Sequence, residues 1–213
     1  EQGLFGCQPA LYFAQIFSSP VISELMDMGY ASYYPMIVLV AVYYFIWKYN
    51  EYERAAFVIM ASFFAYYVIF VLVPVTGPTF YYKAVGIDHI TAGVFPNLHD
   101  YFNSHTDCLP SPGYIDGIFY QLVEDAKAAG ERPTAAFPSS HVGISTVIMF
   151  LVWHTKNRRL FYCMIPFYAF LCMATVYIQA HYAVDALAGF VSGAAFYFLF
   201  MFLSRGMVGK TRR

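Results

Sequence analysis

Five apolar runs, each close to the roughly 17–25 residues that cross a hydrocarbon core as a helix, divide this sequence. They lie at about Tyr30 to Trp47, Ala55 to Pro74, Pro138 to Trp153, Leu160 to Ile178 and Tyr182 to Leu203. Charged residues make up 12% of the 213, about half the share of a soluble domain, so a water-soluble arrangement is nearly excluded. The fold class expected is an all-α integral membrane bundle, one domain over residues 1–213, with five spanning helices. A formal net charge of -1 supplies no basic field for nucleic acid, so the bilayer is the expected partner. A weaker stretch, Pro9 to Met28, is interrupted by Gln15, Ser18, Ser19, Glu24 and Asp27. It predicts an interfacial helix within an N-terminal segment, residues 1–29.

Lys and Arg in short loops tend to remain cytoplasmic. Lys48 and Arg54 fall between the first two runs, Lys156, Arg158 and Arg159 between the third and fourth, and Arg205, Lys210, Arg212 and Arg213 after the fifth. All three segments share one side. The opposite, outer side receives the long segment 76–137, rich in acids, and the short turn Gln179 to His181. Five spans that start outside predict a sixth before residue 1. Within the outer loop, Ile115 to Ala129 carries Ile118, Phe119, Leu122, Val123 and Ala126 at helical spacing, which predicts a surface helix.

Polar groups within or beside spans are costly, and so are candidates for function. One island is Pro138-Ser139-Ser140-His141 at the outer mouth of the third run. Proline suits a first helical turn and the serines can cap it, leaving free N–H groups for an anion. A second is His181 with Asp185 at the outer mouth of the fifth run, four residues apart and so on one helix face. A carboxylate so placed can hold one imidazole nitrogen and raise the basicity of the other. Both runs go from outside to inside, so His141 and His181 reach the same leaflet. A third island, Lys127 and Arg132, precedes the third run. Cations beside a helix N-terminus and two histidines suit a tetrahedral oxyanion, phosphate above all.

Pro138-Ser139-Ser140-His141, followed forty residues later by His181-x-x-x-Asp185, resembles the second and third signature motifs of the type-2 phosphatidate phosphatase superfamily. The resemblance implies a membrane enzyme acting on a phosphorylated lipid at the non-cytoplasmic leaflet, with no metal and no cofactor. It makes His181 the nucleophile, Asp185 its orienting group and His141 the general acid. Lys127, Arg132, Ser139 and Ser140 would hold the phosphate oxygens. Four residues separate Lys127 from Arg132 where the family usually has six, and Ala174 and Thr175 stand where it usually has Ser-Arg. Pro74-Val75-Thr76-Gly77-Pro78 and His181-Tyr182 look more like the inositol phosphorylceramide synthase branch. Transfer to a lipid hydroxyl is therefore the alternative to hydrolysis.

Blander readings stand beside these. His89, His99 and His105 lie near Asp88, Asp100 and Asp107, but their spacing matches no ligand signature, which favours solvated loop chemistry over a metal site. Tyrosines near the ends of the runs read as interfacial anchors. Cys7 and Cys108 share the outer side, where a disulfide is feasible. A non-catalytic haem-binding or transport protein would also place histidines at membrane depth. Transport would need polar residues continuing inward, yet below Ser145 and Asp185 only Thr146 and Ser192 interrupt the apolar runs.

Overall fold

The computed structural model describes residues 1–207, which are helical in the main. The helices are α1 (Gln2–Phe5), α2 (Pro9–Ile16), α3 (Pro20–Ala31), α4 (Tyr33–Trp47), α5 (Tyr49–Leu72), α6 (Pro78–Val85), α7 (Ile87–Thr91), α8 (Ile118–Gly130), α9 (Ser140–His154), α10 (Arg158–Tyr177) and α11 (Ala183–Leu203). Short 3-10 turns cover His99–Asn103 and Ser204–Met207. Pro9, Pro20 and Pro78 open α2, α3 and α6, where the missing N–H costs nothing. Side chains of Ser139 and Asn157 cap α9 and α10, each such cap contributing about 1 kcal/mol.

Among the described residues, α5, α10 and α11 are long and apolar enough to cross a membrane singly, and α3 with α4 forms a fourth candidate bent by 45°. The third run forms only a 15-residue helix, α9. Its apolar character has a different cause. Residues Val142 to Met149 are buried without interruption, with Leu151 and Val152 beyond them, so α9 is the axis around which α4, α5, α10 and α11 pack. The N-terminal stretch also differs from a single interfacial helix. It breaks at Phe17 to Ser19, and α3 turns inward against α10 and α8, with Ser23 and Asp27 fully buried.

Backbone contact between α9 and α11 is closer than side chains would permit. A Cβ on Gly193 would lie 2.3 Å from the Gly143 carbonyl oxygen, and one on Gly189 would lie 2.4 Å from that of Ser139. Small residues at such a seam let two apolar helices associate by dispersion without a solvent-driven term. At the far end of the bundle, Arg54 donates through Nη2 to Met201 O (2.9 Å), and His154 Nε2 lies 3.0 Å from Glu51 Oε2. Lys48, Lys156, Arg158, Arg159 and Arg205 belong to this same end. Lys210, Arg212 and Arg213 lie outside the described residues.

The segment 76–137 forms a cap over the other end. The surface helix expected from Ile115 forms as α8, but its buried side is Tyr120, Val123 and Lys127, while Ile118 and Leu122 are 77% and 51% exposed. The rotation follows from polar contacts. Glu24 on α3 accepts from the N–H groups of Phe119 and Tyr120 at the start of α8 (3.4 Å each), and Lys127 is satisfied inside by loop acceptors. Cys7 and Cys108 are free thiols.

The seam gives a direct test. Gly193→Ala should destabilise the protein by about 1–3 kcal/mol, the usual cost of overpacking, and lower the thermal midpoint in detergent. Gly3→Ala, where no atom lies within 4 Å of the added Cβ, should leave it unchanged.

Candidate active site

Three connections meet at the capped end, and backbone hydrogen bonds tie them together. Ala136 N donates to Val75 O (3.1 Å), Gly77 N to Pro133 O (3.1 Å), Thr79 N to Gln179 O (3.0 Å), and Ser139 N to Asp185 O (3.0 Å). Gly77 is needed for this approach, since a Cβ there would lie 2.9 Å from Ala180 O. The Pro74 to Pro78 feature thus serves as one wall of the site.

His181 sits in the turn between α10 and α11, only 4% exposed. Its Nδ1 lies 2.8 Å from Ala136 O. A carbonyl oxygen can only accept, so Nδ1 carries the proton and the lone pair is on Nε2. That Nε2 lies 3.4 Å from His141 Nδ1. The orienting partner expected from the sequence was Asp185, and here the structure differs. Asp185 Oδ2 stands 3.9 Å from His181 Nδ1 and instead accepts from Tyr182 N at 2.8 Å. The reason is its place at the third position of α11, where a carboxylate satisfies an otherwise orphaned N–H of the helix start. It remains near enough to favour positive charge on the His181 ring.

His141 lies in the first turn of α9 between two tyrosine rings, Tyr30 at 4.9 Å and Tyr33 at 4.6 Å between centroids. Both histidines line a cavity of about 540 Å³ together with Ser140, Glu131 and Arg132. Its remaining wall is largely aromatic, including Tyr66 and Phe70 of α5. Arg132 is exposed and has no hydrogen-bond or ion-pair partner among the described residues. Lys127 is elsewhere. Buried to 6% exposure, its ammonium donates to Leu109 O, Ser111 Oγ and Glu124 Oε1, each at 3.1 Å, and it does not line the cavity. Ser139, fully buried, accepts from Val142 N and acts as the helix cap. Thr175, at the position where the family usually has Arg, turns its hydroxyl onto Cys172 O.

Reasoning from sequence missed Ala136, because it acts through a carbonyl that carries no side-chain signal. Tyr33 reads from the sequence as an interfacial anchor, and the bend between α3 and α4 brings it and Tyr30 onto His141. Among the described residues no group of three or more His, Cys, Asp or Glu is gathered as a metal would require. Of the loop histidines, His105 stacks on Tyr101 at 4.0 Å.

A family model described as the PAP2 superfamily matches residues 2–199, nearly the whole of the chain. The chain belongs to the PAP2 superfamily. Searches of curated proteins and of solved structures each found no match. PAP2 members are in general phosphatases or phosphotransferases, and this all-helical chain with its apolar helices has the membrane-type architecture of that superfamily.

Burial lowers the His181 pKa from its ordinary 6.5 to about 4, with the Ala136 hydrogen bond opposing the shift. The ring is therefore neutral, with a free Nε2, throughout the physiological range. Because the unfolded chain takes up this proton first, the group's contribution to stability falls as pH drops from 6.5 towards 4. His181→Asn keeps a donor for Ala136 without titrating, and should remove up to about 3 kcal/mol of that acid-side loss, read as thermal midpoint against pH. For the two basic residues the expected effects diverge. Arg132→Ala should raise KM for a phosphorylated substrate at least about tenfold, whereas Lys127→Met should lower the thermal midpoint and leave KM little changed.

Proposed function

We propose that this PAP2 protein is a membrane lipid phosphatase, in which His181 takes the phosphoryl group from a phosphorylated lipid and water then releases it. The observation that supports this reading most is the pairing of a His181 Nε2 lone pair, fixed by the Ala136 carbonyl, with His141 at 3.4 Å on the wall of one cavity. In the first step Nε2 attacks phosphorus and the bond from phosphorus to the lipid oxygen breaks. His141, protonated as the anionic substrate enters, gives its proton to that oxygen. In the second step water attacks the phosphohistidine, His141 takes the water's proton, and inorganic phosphate leaves. Splitting one displacement in two is the gain from a covalent intermediate. Asp185 at 3.9 Å favours the cationic His181 ring, and Arg132 with the first N–H groups of α9 offsets charge on the equatorial oxygens.

In this reading α3 with α4 makes one bent span and α5, α9, α10 and α11 four more. The basic end is cytoplasmic, and the cavity opens in the non-cytoplasmic leaflet. Tyr34, Tyr67 and Val71 line the cavity yet are 65%, 60% and 80% exposed, which suits a lipid entering sideways with its chains still in the bilayer.

One observation favours the alternative, transfer to an alcohol in the manner of inositol phosphorylceramide synthases. Among the described residues Arg132 is the only Lys or Arg lining the cavity, and a single fixed cation matches a phosphodiester monoanion better than a monoester dianion. Purified protein incubated with lipid carrying labelled phosphate decides between them: inorganic phosphate is the expected product, and a new phosphodiester lipid would establish transfer. His181→Ala should abolish either product. His141→Ala should spare the first step alone for substrates whose leaving group needs no proton, such as aryl phosphates, so that the phosphohistidine accumulates. Full activity in His181→Ala would end the reading.

A further inference from the structure

One ionisable group of the cavity has no part in that chemistry. Glu131 follows α8, directly before Arg132, and lines the same cavity as His141 and His181. Its Oε2 is buried without a hydrogen-bond partner among the described residues. As a carboxylate it would offer only acceptors to a phosphoryl group whose free oxygens are also acceptors, and two negative groups in one desolvated cavity repel. Protonated, the same carboxyl becomes a donor to a phosphoryl oxygen. Burial pushes the Glu131 pKa above its ordinary 4.5, with Lys127 opposing and Glu124 reinforcing the shift.

The cavity is also short of donors. Lys127 is committed to Leu109, Ser111 and Glu124. Thr175 donates to Cys172 O and Ser139 is fully buried and does not line the cavity, which leaves Arg132 as the single guanidinium, the Ser140 hydroxyl and the first N–H groups of α9. A tetrahedral oxyanion has more acceptor sites than these groups fill.

We propose that Glu131 acts as a carboxylic acid that donates a hydrogen bond to a phosphoryl oxygen, so that the cavity takes up a tetrahedral oxyanion together with a proton. The inference rests on the phosphoryl-transfer reading of the cavity. No bond is made or broken in it. The proton on Glu131 comes from solvent and is held as long as the anion is bound. The groups around Glu131 that also carry or acquire charge are Lys127 and Glu124 of α8, Arg132 beside it, Tyr30 of α3, Cys108 of the loop, and His141 and His181 across the cavity.

The test uses the full chain in detergent and tungstate, a tetrahedral dianion that does not titrate around neutral pH. Wild-type affinity should fall about a hundredfold per pH unit above the Glu131 pKa, about tenfold for each proton taken up, on Glu131 and on His141. Glu131→Gln keeps a donor that cannot ionise, so its affinity should keep only the His141 part of that dependence, about tenfold per pH unit, and exceed the wild type's at the alkaline end. If Glu131→Gln binds tungstate at least about tenfold more weakly at every pH, Glu131 is an acceptor and the proposal is overturned. An unchanged slope overturns it too. Should Glu131→Gln fail to fold, His141→Ala removes the other group expected to take up a proton. A dependence of about tenfold per pH unit must persist in that variant, and a flat profile there contradicts the proposal. A steep tungstate profile without any lipid turnover would sink the lipid reading and leave this one standing. Ordinary turnover with identical slopes would sink this one alone.

Discussion

The backbone contact between α9 and α11 is the constraint on which the site depends. Gly143 meets Gly193, and Ser139 meets Gly189, with no room for a Cβ on either α11 glycine. Dispersion between two closely approaching apolar helices then does what the hydrophobic effect cannot do in hydrocarbon. Held at that distance, the entry to α9 donates Ser139 N to Asp185 O, and His141 and His181 come within 3.4 Å of each other. A wider seam would separate the two imidazoles without changing either helix.

Around that seam, one set of residues builds the site and another is proposed to react. Ala136, Val75, Gly77 and Gln179 contribute only backbone groups, yet they fix where the His181 ring points and which nitrogen is free. Asp185 is divided between helix cap and counter-charge, at 2.8 Å from Tyr182 N and 3.9 Å from the ring. Lys127 holds the cap together through Glu124 and Ser111. The cavity is left with little fixed charge, so in the proposed reading an anion entering it is held by protons on His141 and Glu131 as much as by Arg132.

Much of this was legible in the sequence. Apolar runs and the position of Lys and Arg located α5, α10 and α11, and the parallel sense of the third and fifth runs brought His141 and His181 to one end. The helical spacing from Ile118 identified α8. What the sequence withheld has physical causes. Whether an apolar run faces lipid or protein cannot be told from its hydropathy, so the largely enclosed α9 read like the others. Lys127 looked like a cation free for phosphate because its acceptors, Leu109 O and Ser111 Oγ, come from a loop whose path has no periodicity. Ala136 was invisible because its role is that of a carbonyl. The spacing Gly189-x-x-x-Gly193 on α11 was the available signal for the seam.

The assignment of His181 as the phosphoryl acceptor is the claim that gathers the rest, and trapping the intermediate tests it most directly. Protein quenched in alkali during turnover of a lipid labelled in its phosphate should carry acid-labile label on the peptide containing His181, at Nε2, since Nδ1 is held by Ala136. Label on His141 instead, or turnover with no labelled protein at any quench time, would contradict it.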